Sequence, residues 1–170
     1  LLNSCLSLFS AARFYTGTDT FPVEVIDKES CPRYECRVIR GINQKAQSPL
    51  WMTERLRRCG LRAVSPVVDV TNYVMLEYSQ PLHSFDLNKL NDKIVIRKAC
   101  AGEKIKVLSG EEINLKDNTL IIADANGPVA IAGIFGGENS GIDDQTTDVL
   151  LESAFFAPDA IKGRARQYGL

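Results

Sequence analysis

Short alternating patterns run through most of the chain and predict a strand-rich fold. Apolar and polar residues alternate in "PVEVI" and in "YECRVIRGI", as they do in strands, where successive side chains point to opposite faces. From residue 93 onward similar short runs follow: "KIVIRKA", "EKIKVLSG", "EEINL", "NTLIIAD", "PVAIAG" and "TTDVLLESAFF". Asn126 and Gly127 tolerate positive φ, so they predict a tight hairpin between "NTLIIAD" and "PVAIAG".

Helical patterns lie between these strands. "SPLWMTERLRRCG" predicts a helix with Ser48 as its N-cap and Gly60 at its exit. The apolar residues of this helix, which we expect to face a core, are Leu50, Trp51 and Leu56.

Two more helices are predicted further along. In "VVDVTNYVMLEYSQP" the residues Val67, Val70 and Val74 recur at helical spacing, and Pro81 ends the element. "APDAIKGRARQYG" predicts a C-terminal helix with Pro158 near its start. The whole pattern predicts a mixed α+β fold, in which a largely antiparallel sheet packs with helices.

Length and composition predict one main domain. The chain has 170 residues, of which 45% are hydrophobic, so it can bury a sizeable core. Residues 1–20 read as the end of a preceding domain, with an amphipathic helix favoured over a leader peptide, followed by the linker "TGTDT". Residues 21–170 form the predicted domain. No apolar run reaches the length of about 20 residues that a membrane helix needs.

Charge and cysteine usage narrow the classes of function. With 20 basic and 21 acidic residues, the chain lacks the strongly basic balance of a protein that grips nucleic acid over its whole surface. The arginines of the first helix fit either a solvated face or a local polyanion contact. The five cysteines form no C-x-x-C pair, so we expect no metal site and reduced thiols in a cytoplasmic protein.

Few residues offer chemistry. His83 in "QPLHSFD" is the single histidine, and so the one side chain that ordinarily titrates near neutral pH. "GIFGGENSG" places four glycines in nine residues, which suits close approach to a ligand or an irregular turn. Glu152 lies in the apolar run "LLESAFF", where it is either buried with a partner or outward-facing. Asp69 and Thr71 could support a polar pocket, although Asp69 also fits a capping role.

Several long motifs in order carry a resemblance to a known family. These are "SPLWMTERLRRCGLRAVSPVVDVTNYVMLEYSQPLHSFD", "IAGIFGGENSG" and "DVLLESAFFAPDAIKGRARQYGL". Together they resemble the beta subunit of bacterial-type phenylalanyl-tRNA synthetase, and more narrowly its editing module, over about residues 22–170. The resemblance implies the α+β fold of that module.

The resemblance also implies an activity and its residues. The editing module hydrolyses tyrosine wrongly attached to phenylalanine tRNA. By motif, His83 matches the pocket histidine and Thr71 a pocket threonine. Gly136 and Gly137 match a glycine wall beside the ligand. Glu152 matches the glutamate that recognises the tyrosine hydroxyl.

Partners and limits follow from the same resemblance. The module needs no cofactor and no metal, whereas the parent synthetase uses ATP and Mg²⁺ elsewhere, in a heterotetramer with its alpha subunit. The expected partner is tRNA, with no membrane involved, and candidates for phosphate contact are Arg55, Arg58, Lys162, Arg164 and Arg166. A further pocket segment would follow "QYGL" in the family, so we expect a truncated domain. The alternative is a non-catalytic structural or tRNA-docking module of the same subunit.

Overall fold

Strands make up most of the secondary structure in the computed structural model, which describes residues 19–169. The predicted N-terminal helix therefore lies outside the described residues, as does most of the predicted linker. The strands are β1 (Val23–Val25), β2 (Arg33–Ile39), β3 (Leu82–Asp86), β4 (Ile94–Lys98), β5 (Lys104–Lys106), β6 (Glu112–Asn114), β7 (Leu120–Asp124), β8 (Gly127–Ile131), β9 (Phe135–Gly136) and β10 (Val149–Phe155). The α-helices are α1 (Leu50–Arg58), α2 (Pro66–Tyr78), α3 (Pro158–Ile161) and α4 (Arg164–Gln167).

The larger sheet has five strands in the order β1-β4-β7-β8-β9. Only the β1–β4 pair is parallel, and the other neighbours are antiparallel. The predicted β7–β8 hairpin is confirmed, but its turn lies one residue earlier than expected, at Ala125 and Asn126. The Asp124 carboxylate accepts hydrogen bonds from the amides of Asn126 and Gly127, and Gly127 opens β8 with a φ of 139°. The turn thus combines side chain-to-backbone bonds from Asp124 with the positive φ of Gly127.

The smaller sheet has three antiparallel strands in the order β2-β10-β3. Glu152 in the central strand β10 lies directly opposite Cys36 in β2 and His83 in β3. Because directly opposite residues of antiparallel strands share a face, all three side chains project to the same side. Strand β3, which carries the histidine, was not predicted from the sequence.

The main core joins the two sheets. Phe85 and Leu150 from the three-stranded sheet pack in one buried cluster with Ile94, Ile96 and Ile122 from the five-stranded sheet. A second cluster lies under the β5–β6 hairpin and includes Ile105, Val107 and Ile113. The inner face of the three-stranded sheet, which also carries Glu152, is therefore the face turned toward the main core.

The first helix differs from its predicted orientation. Met52 and Leu56 are fully buried against Tyr73 of α2, whereas Leu50 is 77% exposed and Trp51 is 42% exposed. The prediction that Leu50 and Trp51 face the core is wrong, because the helix begins at Leu50 and buries the i, i+4 pair that starts at Met52. Leu56 is confirmed as a core residue.

The ends of the helices show further departures. Ser48 does not cap α1; its hydroxyl donates to the Asp69 carboxylate at 2.6 Å. Helix α2 is confirmed, with Ser65 as its N-cap, and it ends at Tyr78 before the predicted Pro81. The predicted C-terminal helix is two short helices, because Gly163 adopts a φ of 77° between α3 and α4.

None of the helices within residues 19–169 is long and apolar enough to cross a membrane.

Unfolding measurements can test which face of α1 is buried. We expect Met52→Ala to lower the free energy of unfolding by about 2–4 kcal/mol, because it removes a fully buried side chain. The control Leu50→Ala, on the exposed face of the same helix, should change it by less than about 0.5 kcal/mol. Urea denaturation of both variants checks this, and equal losses would contradict the orientation of α1.

Candidate functional site

A cavity of about 570 Å³ opens at one end of the main core. The loop after α2, strand β3, the end of β8, the glycine-rich loop, β10 and the start of α3 all contribute to its wall. His83, Gly136 and Glu152 line it together, which brings three residues of distant sequence motifs to one place. Much of the remaining wall is apolar, formed by Leu82, Ile122, Ile131, Ile134, Phe135 and Phe156.

Glu152 is the buried acidic group of this cavity. Its side chain is 6% exposed, and its Oε2 accepts a hydrogen bond of 3.0 Å from the Tyr34 hydroxyl. Within residues 19–169, Glu152 has no other side-chain hydrogen bond or ion pair. Burial raises the pKa of the Glu152 carboxyl to about 7, although the bond from Tyr34 acts to lower it. Near neutral pH this carboxyl therefore exists in both protonation states.

The titratable neighbours of Glu152 on β2 and in the segment just before it stay uncharged at neutral pH. Burial, reinforced by the negative charge of Glu152, raises the pKa of Tyr34 well above its usual value and that of Cys31 to about 11. The same two causes raise the pKa of Cys36. The Glu152 carboxylate is therefore stabilised by a hydrogen bond, with no cation close by to pair with it among the described residues.

His83 is held as a neutral imidazole. Its ring packs edge-on against Phe85, with the ring centroids 4.5 Å apart. Its Nε2 is buried and has no hydrogen-bond partner among the described residues. Burial lowers the pKa of His83 to about 4, so the imidazole is uncharged at neutral pH. An unpaired polar nitrogen in a cavity wall is a place where a ligand atom or a water can bond.

Gly136 allows the histidine ring to lie where it does. A methyl group on Gly136 would stand 2.7 Å from His83 Cε1, closer than carbon atoms approach one another. The side chain of Leu108 flanks the same point at 3.2 Å. Any larger residue at position 136 would thus displace the imidazole from the cavity wall.

Gly137 serves the fold and not the cavity surface. Its amide donates to the Val129 carbonyl oxygen at 2.8 Å, and a methyl group on it would stand 2.6 Å from that oxygen. Within the described part of the chain, Gly137 is not among the cavity-lining residues. Its amide is already hydrogen-bonded to Val129, and is not free to bind a ligand.

Thr71 and Asp69 lie on α2, which packs against β3. The Thr71 hydroxyl donates to the Val68 carbonyl of its own helix at 2.9 Å. Asp69 is buried and accepts from the Ser48 hydroxyl and from the Val64 amide, which closes the loop before α2. Neither residue is among those that line the cavity within residues 19–169, and their part in a polar pocket stays a prediction.

The five candidate phosphate contacts divide between two regions. Arg55 and Arg58 belong to α1, where Arg55 bonds to the Tyr73 hydroxyl and pairs with Glu77. Arg164 and Arg166 belong to α4 and Lys162 lies just before it; the Arg164 side chain bonds to Asn118. The role of these five residues in contacting phosphate stays a prediction.

The described residues contain no cluster of three or more His, Cys, Asp or Glu side chains able to hold a metal ion. Cys31, Cys36, Cys59 and Cys100 are free thiols, and Cys5 lies outside the described residues.

Comparison with known proteins identifies the family of the chain. The sequence profile of the B3/4 domain family matches residues 30–170. The chain belongs to the B3/4 domain family. The B3/4 domain described here is 57% identical over 152 residues to the phenylalanine–tRNA ligase beta subunit of Aliivibrio fischeri, a match that covers 89% of this chain and 19% of that protein.

Two further relatives agree. The beta subunit of Haemophilus influenzae is 54% identical over 155 residues, covering 91% of this chain and 20% of that protein. A solved structure, an N-terminal fragment of the phenylalanyl-tRNA synthetase beta subunit from Pyrococcus horikoshii, is similar with a TM-score of 0.61 at 15% identity. That alignment covers 84% of this chain and 45% of that fragment and supports the fold alone. The resemblance inferred from the sequence and the α+β fold are both confirmed.

Sequence reasoning missed Tyr34 as the partner of Glu152. The alternation in "YECRVIRGI" placed Tyr34 and Cys36 on one face of a predicted strand. The missing information was that this strand pairs with β10, 118 residues away, in the register that opposes Cys36 to Glu152. Nothing in the local sequence specifies that register.

The raised pKa of Glu152 predicts a pH-dependent contribution to stability. A carboxyl whose pKa is about 7 when folded and about 4.5 when unfolded stabilises the fold below pH 4.5, and that contribution is lost as pH rises through 7. Relative to Glu152→Gln, which cannot ionise, the wild type should lose about 3 kcal/mol of unfolding free energy between pH 4.5 and 8. Urea denaturation across this range measures the difference.

His83 is present in both proteins, so its own titration cancels in that comparison. The matched control is Glu35→Gln, an exposed glutamate one residue after Tyr34 on the opposite face of β2, which should give a nearly constant difference. A constant difference for Glu152→Gln as well would contradict the buried, hydrogen-bonded state of its carboxyl.

Proposed function

We propose that this B3/4 domain is an editing module that hydrolyses tyrosine wrongly attached to phenylalanine tRNA. Its substrate is the ester between the tyrosine carboxyl group and the 3′-terminal adenosine of the tRNA. The observation that carries this proposal is Glu152, a buried hydrogen-bond acceptor in the wall of a largely apolar cavity.

The physical basis of selectivity is the single hydroxyl by which tyrosine differs from phenylalanine. An apolar pocket separates such a pair poorly, because either side chain fills it. A buried acceptor separates them better, since the tyrosine hydroxyl satisfies it and phenylalanine leaves it unpaired; polar sites of this kind reach factors of about 10⁴. The volume of about 570 Å³ lies within the range of small-molecule sites, which is large enough for an aminoacyl group.

Glu152 is already suited to a phenol. Its Oε2 bonds to the phenolic hydroxyl of Tyr34, and Oε1 has no partner among residues 19–169. A tyrosine substrate would offer Oε1 the same kind of donor. This second bond would also favour the ionised carboxylate, because hydrogen bonds to a charged group stabilise it.

His83 acts in this proposal by positioning. A group with a pKa of about 4 is a weak base at pH 7, where an efficient general base has a pKa near the working pH. The neutral ring can instead hold the attacking water or the ester through Nε2, which has no protein partner in the described residues. Water then adds to the ester carbonyl carbon, the bond to the ribose oxygen breaks, and a water proton passes to that leaving oxygen.

Gly136 contributes a bare backbone beside the imidazole. The absence of a side chain there leaves room for the imidazole, which keeps His83 in the cavity wall. Gly137 supports the same loop through its bond to Val129, so the two glycines have different tasks.

The chain spans about a fifth of the length of the curated relatives it matches. We therefore also propose the setting of the whole protein: a beta subunit that assembles with an alpha subunit into a cytoplasmic heterotetramer. That parent enzyme joins phenylalanine to its tRNA with ATP and Mg²⁺ outside this domain. The proposal for the domain itself needs neither a metal nor a cofactor.

Deacylation of mischarged tRNA tests the function. Assembled synthetase carrying this domain should release tyrosine from tyrosyl-tRNA and spare phenylalanyl-tRNA. Glu152→Ala should reduce the ratio of the two rates by at least about tenfold, because the buried acceptor is lost. Glu35→Ala, on the opposite face of the sheet, should keep the wild-type ratio.

Two outcomes would argue against this assignment. A wild-type enzyme that hydrolyses neither ester would favour the structural or tRNA-docking alternative. A Glu152→Ala enzyme with the wild-type ratio would remove Glu152 from substrate recognition.

The role of His83 has its own prediction. We expect His83→Ala to slow tyrosyl-tRNA hydrolysis by on the order of 100-fold through lost positioning, with no change in the shape of the pH–rate profile. His83→Gln, which keeps a hydrogen-bonding side chain, should recover part of the rate. If the substitution instead abolishes an inflection near pH 4, His83 transfers a proton in the reaction.

A further inference from the structure

Tyr34 supports Glu152 from a position outside the cavity. Tyr34 and Cys36 lie on the same face of β2, and Cys36 is the residue directly opposite Glu152. The Tyr34 hydroxyl therefore reaches Oε2 along the diagonal between neighbouring strands, over 3.0 Å. Glu152 lines the cavity, whereas Tyr34 is not among the lining residues in the described part of the chain.

We propose that Tyr34 is a positioning residue that fixes the Glu152 carboxylate so that its second oxygen recognises the hydroxyl of the aminoacyl ligand. This inference rests on the proposed editing function and adds a determinant of specificity that the sequence motifs did not include. Tyr34 touches neither the ligand nor the reacting ester in this account.

The argument begins from the freedom of a glutamate side chain. A carboxylate group can rotate about its terminal bond. One of its two oxygens keeps a fixed position toward a ligand only when a hydrogen bond holds the other oxygen. Within residues 19–169, Tyr34 is the one donor bonded to the Glu152 side chain. Its ring packs against the main core and its backbone is paired in the sheet, which makes it a rigid donor.

The second step concerns charge. The titratable groups that face Glu152 are Tyr34, Cys31 and Cys36 from the β2 side and His83 from β3, and all four are neutral at pH 7. Among them, only Tyr34 donates a hydrogen bond to the carboxylate. Without that bond the ionised form of Glu152 would be less favourable, and a neutral carboxyl is a weaker acceptor for a phenol.

Tyr34→Phe removes the donor and keeps the ring. In the assembled synthetase we expect tyrosyl-tRNA hydrolysis to fall about tenfold near pH 7, while phenylalanyl-tRNA hydrolysis stays at its low wild-type level. The pH at which tyrosyl-tRNA hydrolysis reaches half its maximum should move upward, because Glu152 then ionises at higher pH. A carboxyl-carbon NMR titration of Glu152 should show the same upward shift.

The matched control is Tyr168→Phe. Tyr168 also bonds through its hydroxyl, to the Lys116 amide at 3.0 Å and to Thr119, in the second core cluster away from Glu152. We expect this variant to lose some stability, yet to keep the wild-type discrimination, half-maximal pH and Glu152 titration. If the loss of a tyrosine hydroxyl acted only through stability, Tyr34→Phe and Tyr168→Phe would show the same discrimination and the same Glu152 titration.

The outcomes separate this inference from the proposed function. If the wild type shows no selective hydrolysis, the editing function fails and the specificity role of Tyr34 fails with it. If the wild type is selective and Tyr34→Phe keeps both its selectivity and its Glu152 titration, the positioning role alone is overturned. Loss of selectivity together with the upward shift supports the inference.

Discussion

Burial of the Glu152 carboxyl between two β-sheets is the constraint around which the site is built. The neighbours of Glu152 on the inner face of the small sheet include Phe85 and Leu150, both fully buried. An ionised carboxylate in such surroundings is unfavourable unless it is hydrogen-bonded or loses its charge, and both routes operate here. Tyr34 provides the bond, and the raised pKa keeps a share of the carboxyl protonated near neutral pH.

The same inter-sheet geometry explains why the histidine and the glycine-rich loop meet. Register pairs His83 directly with Glu152, so β10 fixes both polar groups on one face. The loop reaches this face because β9 continues the large sheet beyond β8, and the β5–β6 hairpin holds it from the other side through the bond from the Leu108 amide to the Gly136 carbonyl. With no Cβ at position 136, backbone and imidazole come into direct contact. The cavity is thus a product of sheet pairing and one missing side chain.

The elements that sequence reasoning predicted well are those with local signals. Alternation identified β2, an apolar run identified β10, and the spacing of valines identified α2, because these patterns depend on neighbours in the chain. Turns and caps were predicted less well. Ser48 bonds to Asp69, 21 residues further along the chain, and this contact competes with its local capping role. The predicted orientation of α1 was wrong for a similar reason. Which of its side chains are buried depends on the position of α2 as well as on the apolar pattern of the helix itself.

For the site, motif resemblance supplied His83, Gly136 and Glu152 but not the physical relation among them. That relation depends on pairing between strands that are more than 60 residues apart in the chain, which no local pattern encodes. Tyr34 illustrates the gap, because nothing marks it as functional until β2 is placed beside β10. For Thr71 the structure shows only a hydroxyl bonded within its own helix, so its place in the pocket stays a prediction from the motif.

The two buried titratable groups of the wall act on the fold in opposite directions as pH changes. The pKa of Glu152 is raised from 4.5 to about 7, so its stabilising contribution is lost as pH rises through that interval. The pKa of His83 is lowered from 6.5 to about 4, so its contribution is lost as pH falls through that interval. Between about pH 4.5 and 6.5 the folded state binds one proton more at Glu152 and one fewer at His83 than the unfolded chain, and the two slopes cancel. The domain therefore keeps two titratable groups in the wall of an apolar cavity. Because one is an acid and the other a base, their combined effect on the free energy of unfolding changes little across mildly acidic pH.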